Sequence, residues 1–100
     1  MDLIFNDDWI ENNSWIFKDT VYQLSFSYKD KDFTIYANYK DEILNISVWE
    51  NNNSPYKPLL IKDSSISPEN FLQFSKAYIH KNIEENENFL EQWRLKTAII

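Results

Sequence analysis

His80 is the only histidine in the chain, and Glu84 follows it four residues later, a spacing that places both side chains on one face of a helix. Such a pair can offer two ligands to a metal ion. A structural or catalytic zinc site takes three or four, and Glu87 is the one further donor nearby. The ordinary use of an i,i+4 pair of this kind is a surface ion pair worth a few tenths of a kcal/mol, so neither metal nor cofactor is expected. Carboxylates are paired at Asp7-Asp8, Asp41-Glu42 and Glu84-Glu85. Acid–base catalysis needs two carboxyls whose surroundings separate their pKa values inside one pocket, whereas adjacent acids in turns and on helix surfaces share the same water. Cysteine is absent, which excludes disulfides and thiolate metal sites. Glycine is absent too, which excludes the glycine-rich phosphate cradle, the dinucleotide fingerprint and the usual nucleophile elbow. No serine or threonine can be matched with a base. These residue types point away from an enzyme and toward a surface that binds.

The acids suggest where. The chain has 16 acidic and 10 basic residues, a net charge of −6. Direct nucleic-acid binding needs clustered Lys and Arg, and a single arginine, Arg94, with scattered lysines does not provide them. An acidic surface suits a protein partner with a basic surface, although charge of this size also serves simply to keep a small domain dissolved. Asp30 and Asp32 fall in one polar connection, and Asp41 and Glu42 in the next. Glu84, Glu87 and Glu91 follow 3,4 spacing and share one stripe of a continuous helix, relieved by little more than Lys81. A line of negative charge can imitate a nucleic-acid backbone in a basic channel; the commoner fate of such a run is a solvated helix face.

The elements that would position these residues are legible in the middle of the chain. Over Thr20–Tyr28, Tyr22, Leu24, Phe26 and Tyr28 alternate with Val21, Gln23, Ser25 and Ser27. Phe33, Ile35, Ala37 and Tyr39 alternate with Thr34, Tyr36 and Asn38. Leu44, Ile46 and Val48 are set against Asn45, Ser47 and Glu50. Three period-2 runs rich in aromatic and β-branched residues predict strands with one buried face, and connections this short force an antiparallel meander. Asp30, Asp32 and Asp41 must supply the turn geometry that glycine usually gives. Leu59-Leu60-Ile61, preceded by Pro58, predicts a short fourth strand at an edge.

Ser67-Pro68-Glu69 reads as a helix start, with Ser67 as cap and Pro68 in the first position. Phe71, Phe74 and Tyr78 form one stripe, Leu72, Ile79 and Ile83 lie beside it, and Leu90 and Trp93 resume the pattern. One helix from 68 to 96 would run about 44 Å, against about 25 Å for the strands. A break near 80–86 into two helices is favoured. In the first nineteen residues, Asp2–Phe5 suits a short strand, Asp7–Glu11 a helical turn, and Trp15-Ile16-Phe17 a strand or lead-in. The outward strand face (Val21, Gln23, Ser25, Thr34, Tyr36, Asn38, Asn45, Ser47 and Trp49) is a second candidate surface. Tyr36 and Trp49 amid short polar residues have the chemistry of a protein interface. The alternative is that the N-terminal segment, with Trp9 and Trp15, covers that face.

The reading is therefore one α+β domain over residues 1–100: an antiparallel meander of three to four strands, approximately 15–61, then a helix or broken helix pair over 68–96 packed on one face. Abundant Asn, Ile and Lys with scarce Ala, Pro and Arg reflect a low-GC genome, which accounts for part of the missing glycine. The N-terminus lacks a basic start and an apolar run, and no apolar stretch approaches the length of a membrane span, so a cytoplasmic protein is expected. In size, acidity and lack of a catalytic constellation the chain is similar to small phage-encoded inhibitors of bacterial defence, anti-CRISPR proteins among them, and to immunity proteins that neutralise nuclease toxins. That resemblance implies a stoichiometric binder of a basic protein. A small enzyme and a self-associating structural protein are the other classes.

Overall fold

In β3 (Val21–Tyr28), Leu24, Phe26 and Tyr28 are buried while the residues between them stay partly exposed, as period 2 requires. β4 (Lys31–Lys40) buries Phe33, Ile35 and Ala37, and β5 (Ile43–Glu50) buries Leu44, Ile46 and Val48. The three strands pair antiparallel in chain order, so the apolar rows meet: Phe26 faces Phe33, Ile35 faces Val48, and Ala37 faces Ile46. β6 (Leu59–Ile61) adds to β5 at the edge. This computed structural model describes residues 2–6, 8–13, 20–51 and 55–98, the side chains of 97 and 98 excepted. The expected α+β meander and C-terminal helix pair are present.

The sheet begins earlier than expected, at Leu3 rather than near residue 15. β1 (Leu3–Phe5) and β2 (Ile10–Asn12) both pair antiparallel with β3, β1 along Phe26–Tyr28 and β2 along Val21–Gln23. The short strand expected over Asp2–Phe5 is β1. The helical turn expected over Asp7–Glu11 is not formed, because β2 occupies Ile10–Asn12; without it, part of the free edge of β3 would lack strand partners for its N–H and C=O groups. Asp7 and the Trp15-Ile16-Phe17 segment lie outside the described residues.

Both hairpin turns solve the glycine problem with bulky residues. Lys29 and Asp30 (φ 50° and 63°) link β3 to β4, and Asp41 and Glu42 (φ 54° and 66°) link β4 to β5. Positive φ at both central residues is what a two-residue hairpin of matching twist demands. Asp30 and Asp41 thus take the expected role, joined by Lys29 and Glu42. Asp32 does not: two turn residues suffice, so it lies within β4 opposite Ser27, whose hydroxyl donates to it at 2.9 Å. Glu50, grouped by sequence with the outward residues, sits instead at the end of the inward row. It pairs with buried Phe33, in step with Leu44, Ile46 and Val48.

α1 (Phe71–Glu85) starts three residues after Pro68. The lead-in already coils: the Ser67 carbonyl accepts the N–H groups of Asn70 and Phe71 at 3.2 and 3.0 Å. Asn70 reaches back to accept the Ser67 N–H at 2.7 Å and donates to the Ser65 carbonyl. Ser67 therefore anchors the turn through its backbone. The buried stripe is Ser75, Ile79 and Ile83, at i,i+4 spacing, and the Ser75 hydroxyl donates to the Phe71 carbonyl. Fifteen residues extend about 22 Å, close to the length of the eight-residue strands. There Asn86 turns extended (φ −149°, ψ 102°), its N–H still donating to Asn82. Its side-chain oxygen accepts the Asn88 N–H at 3.0 Å, so one residue closes α1 and caps the entry to α2 (Phe89–Ala98). Leu90 and Trp93 then return to the core beside Ile79 and Ile83. No helix among the described residues is long and apolar enough to cross a membrane.

Candidate protein-binding site

The break in the helix redistributes the three C-terminal acids. Glu84 is on α1, Glu87 lies in the connecting turn and Glu91 is on α2, so the single straight stripe that 3,4 spacing implies does not form. The physical reason is Asn86, which leaves helical geometry between them. The acids instead line the walls of two shallow clefts where the helix junction meets the β3–β4 turn. One, of about 260 Å³, is lined by Asp2, Tyr28, Lys29, Ile83, Glu84 and Glu87. The next, of about 220 Å³, shares Tyr28, Lys29 and Glu87 and adds Lys31, Glu50, Tyr56 and Glu91. The junction is held there by the Tyr28 hydroxyl, which donates to the Glu87 carbonyl at 3.0 Å.

Each of the three acids already has a nitrogen partner. Lys29 Nζ is 3.6 Å from Glu87, His80 Nδ1 is 3.6 Å from Glu84, and Arg94 pairs with Glu91 through both guanidinium and carboxylate forks. Hydrogen bonding from Arg94 holds the Glu91 carboxyl below the usual carboxylate range, and the same contact raises the guanidinium. All of these groups are substantially exposed, so the pairs contribute little to stability. Among the described residues, no three His, Cys, Asp or Glu side chains gather to hold a metal ion. Asp2, Lys29, Lys31 and Glu50 belong to these clefts and were not singled out from sequence. Strand parity would have found Glu50, since it continues the buried row of β5.

Tyr56 is a buried titratable group in the second of these clefts. Burial, then the charge of Glu50, pushes its hydroxyl up to about 12. Folding stability from this group is complete below the ordinary tyrosine value of about 10, and it is lost as pH rises through about 12, because only the unfolded chain ionises in between. At about 1.36 kcal/mol per pKa unit the loss amounts to about 2–3 kcal/mol. Urea unfolding at about pH 9 and about pH 11.5 should show a smaller alkaline loss for Tyr56→Phe than for the unaltered chain. Equal losses would mean that Tyr56 does not carry the effect.

The remaining candidates are scattered. Asp30 is in the β3–β4 turn beside the clefts, whereas Asp41 and Glu42 are at the opposite end of the meander. There Glu42 lines a separate depression with Tyr39, Lys62 and Asp63. Tyr36 and Trp49 lie on the sheet face away from the helices, ring centroids 5.4 Å apart. Trp9 does not cover that face, since it packs against the core cluster; Trp15 is outside the described residues. Comparison of the chain with family models, with curated proteins and with solved structures gives no match.

Proposed function

We propose that this chain is a stoichiometric inhibitor that acts in the cytoplasm by blocking a basic surface of a bacterial nucleic-acid-handling defence protein, as phage-encoded anti-CRISPR and other anti-defence proteins do. The observation that supports this reading is the pair of neighbouring acidic clefts at the helix junction. Asp2, Glu84 and Glu87 line one and Glu50, Glu87 and Glu91 the other, against Lys29 in both and Lys31 in the second. A guanidinium from a partner fits such a site, since its fork engages carboxylates two bonds at a time. Exchanging the exposed Lys29–Glu87 pair for a partner's cation loses little. Because the acids bend around a junction, the mimicry they suit is occupation of a single phosphate-binding spot, not a long channel.

The test compares the unaltered chain with Glu84→Lys/Glu87→Lys/Glu91→Lys in affinity capture from a low-GC bacterium at rising salt. The unaltered chain should retain, at fixed ratio, a nucleic-acid-handling protein with a basic contact surface, and should inhibit its activity. The triple reversal should weaken that binding at least about tenfold with little change in thermal unfolding. Unchanged affinity, or a partner with an acidic contact surface, would count against the reading.

A further inference from the structure

Among the described residues, five of the six exposed large apolar side chains share one sheet face. Ile4, Ile10, Ile43, Trp49 and Leu60 all point away from the helices, as their register with Ser27, Gln23, Lys40, Thr34 and Asn45 requires. None of the outward strand positions among the described residues is buried. Exposed apolar side chains concentrated on one face of a small domain, around a polar and aromatic centre, suit an interaction surface. The face also carries little charge: of its outward strand positions, only Asp32 and Lys40 are formally charged, at opposite ends of β4.

We propose that this face pairs with a second copy of the chain, in a two-fold dimer centred on Tyr36. The outward row of β4 is Asp32, Thr34, Tyr36, Asn38 and Lys40, with Tyr36 at its midpoint. A two-fold axis lying between two stacked sheets and perpendicular to β4 sets Tyr36 against its own copy. The same axis brings each Asp32 toward Lys40 of the second copy. An axis along β4 would place Asp32 against Asp32, so the charges select the first arrangement. Two chains of net charge −6 repel overall, and stacking through this face buries little of that charge. Aligned sheets pack about 10 Å apart and within about 30° of each other, which preserves these pairings. The 35 strand residues, at about 3.3 Å rise and about 4.8 Å strand spacing, give about 550 Å² per copy, or about 1,100 Å² in all, just above the ~1,000 Å² that a specific interface needs. The acidic clefts open from the helix side, so the dimer would present two of them and leave both free.

Sedimentation equilibrium on the full chain, between about 1 and about 100 µM, reads this directly. The measurement involves no other protein, so its failure is separate from failure of the inhibitor reading. The expected result is a species of twice 12.1 kDa that dissociates on dilution. Tyr36→Lys, which sets two ammonium groups against each other at the axis, should raise the dissociation constant at least about 100-fold with the circular dichroism spectrum unchanged. Asp32→Lys and Lys40→Asp should each weaken the dimer, and the two together should restore it. A mass of 12.1 kDa throughout, a dimer indifferent to Tyr36→Lys, or a double variant no tighter than the singles would overturn the proposal.

Discussion

Trp93→Ala should destabilise the fold by about 3–5 kcal/mol, the usual cost of emptying a buried aromatic site. Trp93 is 4% exposed and stands between Tyr56 and Phe89, with both ring centroids at 5.8 Å. Its indole N–H donates to the Lys57 carbonyl at 2.7 Å, which pins the chain entering β6 to the second helix. Alanine would leave a cavity between helix and sheet and remove that donor. Since domains of this size hold only about 5–15 kcal/mol in total, a large part of the stability would go. Thermal unfolding should fall by at least about 12 °C. Trp93→Phe keeps most of the ring but not the N–H, and should cost about 1–3 kcal/mol. A loss under about 1 kcal/mol for the alanine variant would mean that α2 is not docked through this residue.

The opposite sign is expected at the hairpin turns. Asp30 and Glu42 hold φ at 63° and 66°, a conformation in which any Cβ crowds the following carbonyl. Both occupy the second central position, where glycine is preferred. Asp30→Gly with Glu42→Gly should relieve about 1–2 kcal/mol at each turn and return roughly half of it through the greater freedom of the unfolded chain. The net gain should be about 1–2 kcal/mol for the pair, raising the unfolding midpoint by about 5–10 °C. A double variant that melts at or below the unaltered temperature would show that the acids contribute there through contacts that outweigh the strain.

The same turns illustrate how far one-dimensional patterning reaches. The alternation in 21–28, 33–39 and 43–49 specifies three strands, their buried faces and, through connections of four and three residues, their antiparallel order. This is legible because period 2 and loop length are local properties. The helix break was legible too, since a single helix would have outrun the sheet it covers. The N-terminal strands were not: β1 and β2 have three residues each, too few for a periodic signal. They are specified by the open edge of β3, whose backbone groups require a partner.

The candidate site divides in the same way. Acid count, net charge and the absence of glycine and cysteine are carried by the residues themselves, and they exclude cofactor cradles and thiolate sites in any fold. Which acids meet is a different matter. Glu84, Glu87 and Glu91 were spaced as a straight stripe, and Asn86 bent them around a junction. Asp2 and Glu50, 48 residues apart in sequence, came to line neighbouring clefts there. Charge and face are local and additive along a chain, so residue order alone states them. A cleft is made where segments remote in sequence are brought together by burying Phe26, Ile79 and Trp93 in one core, and that only the packed structure decides.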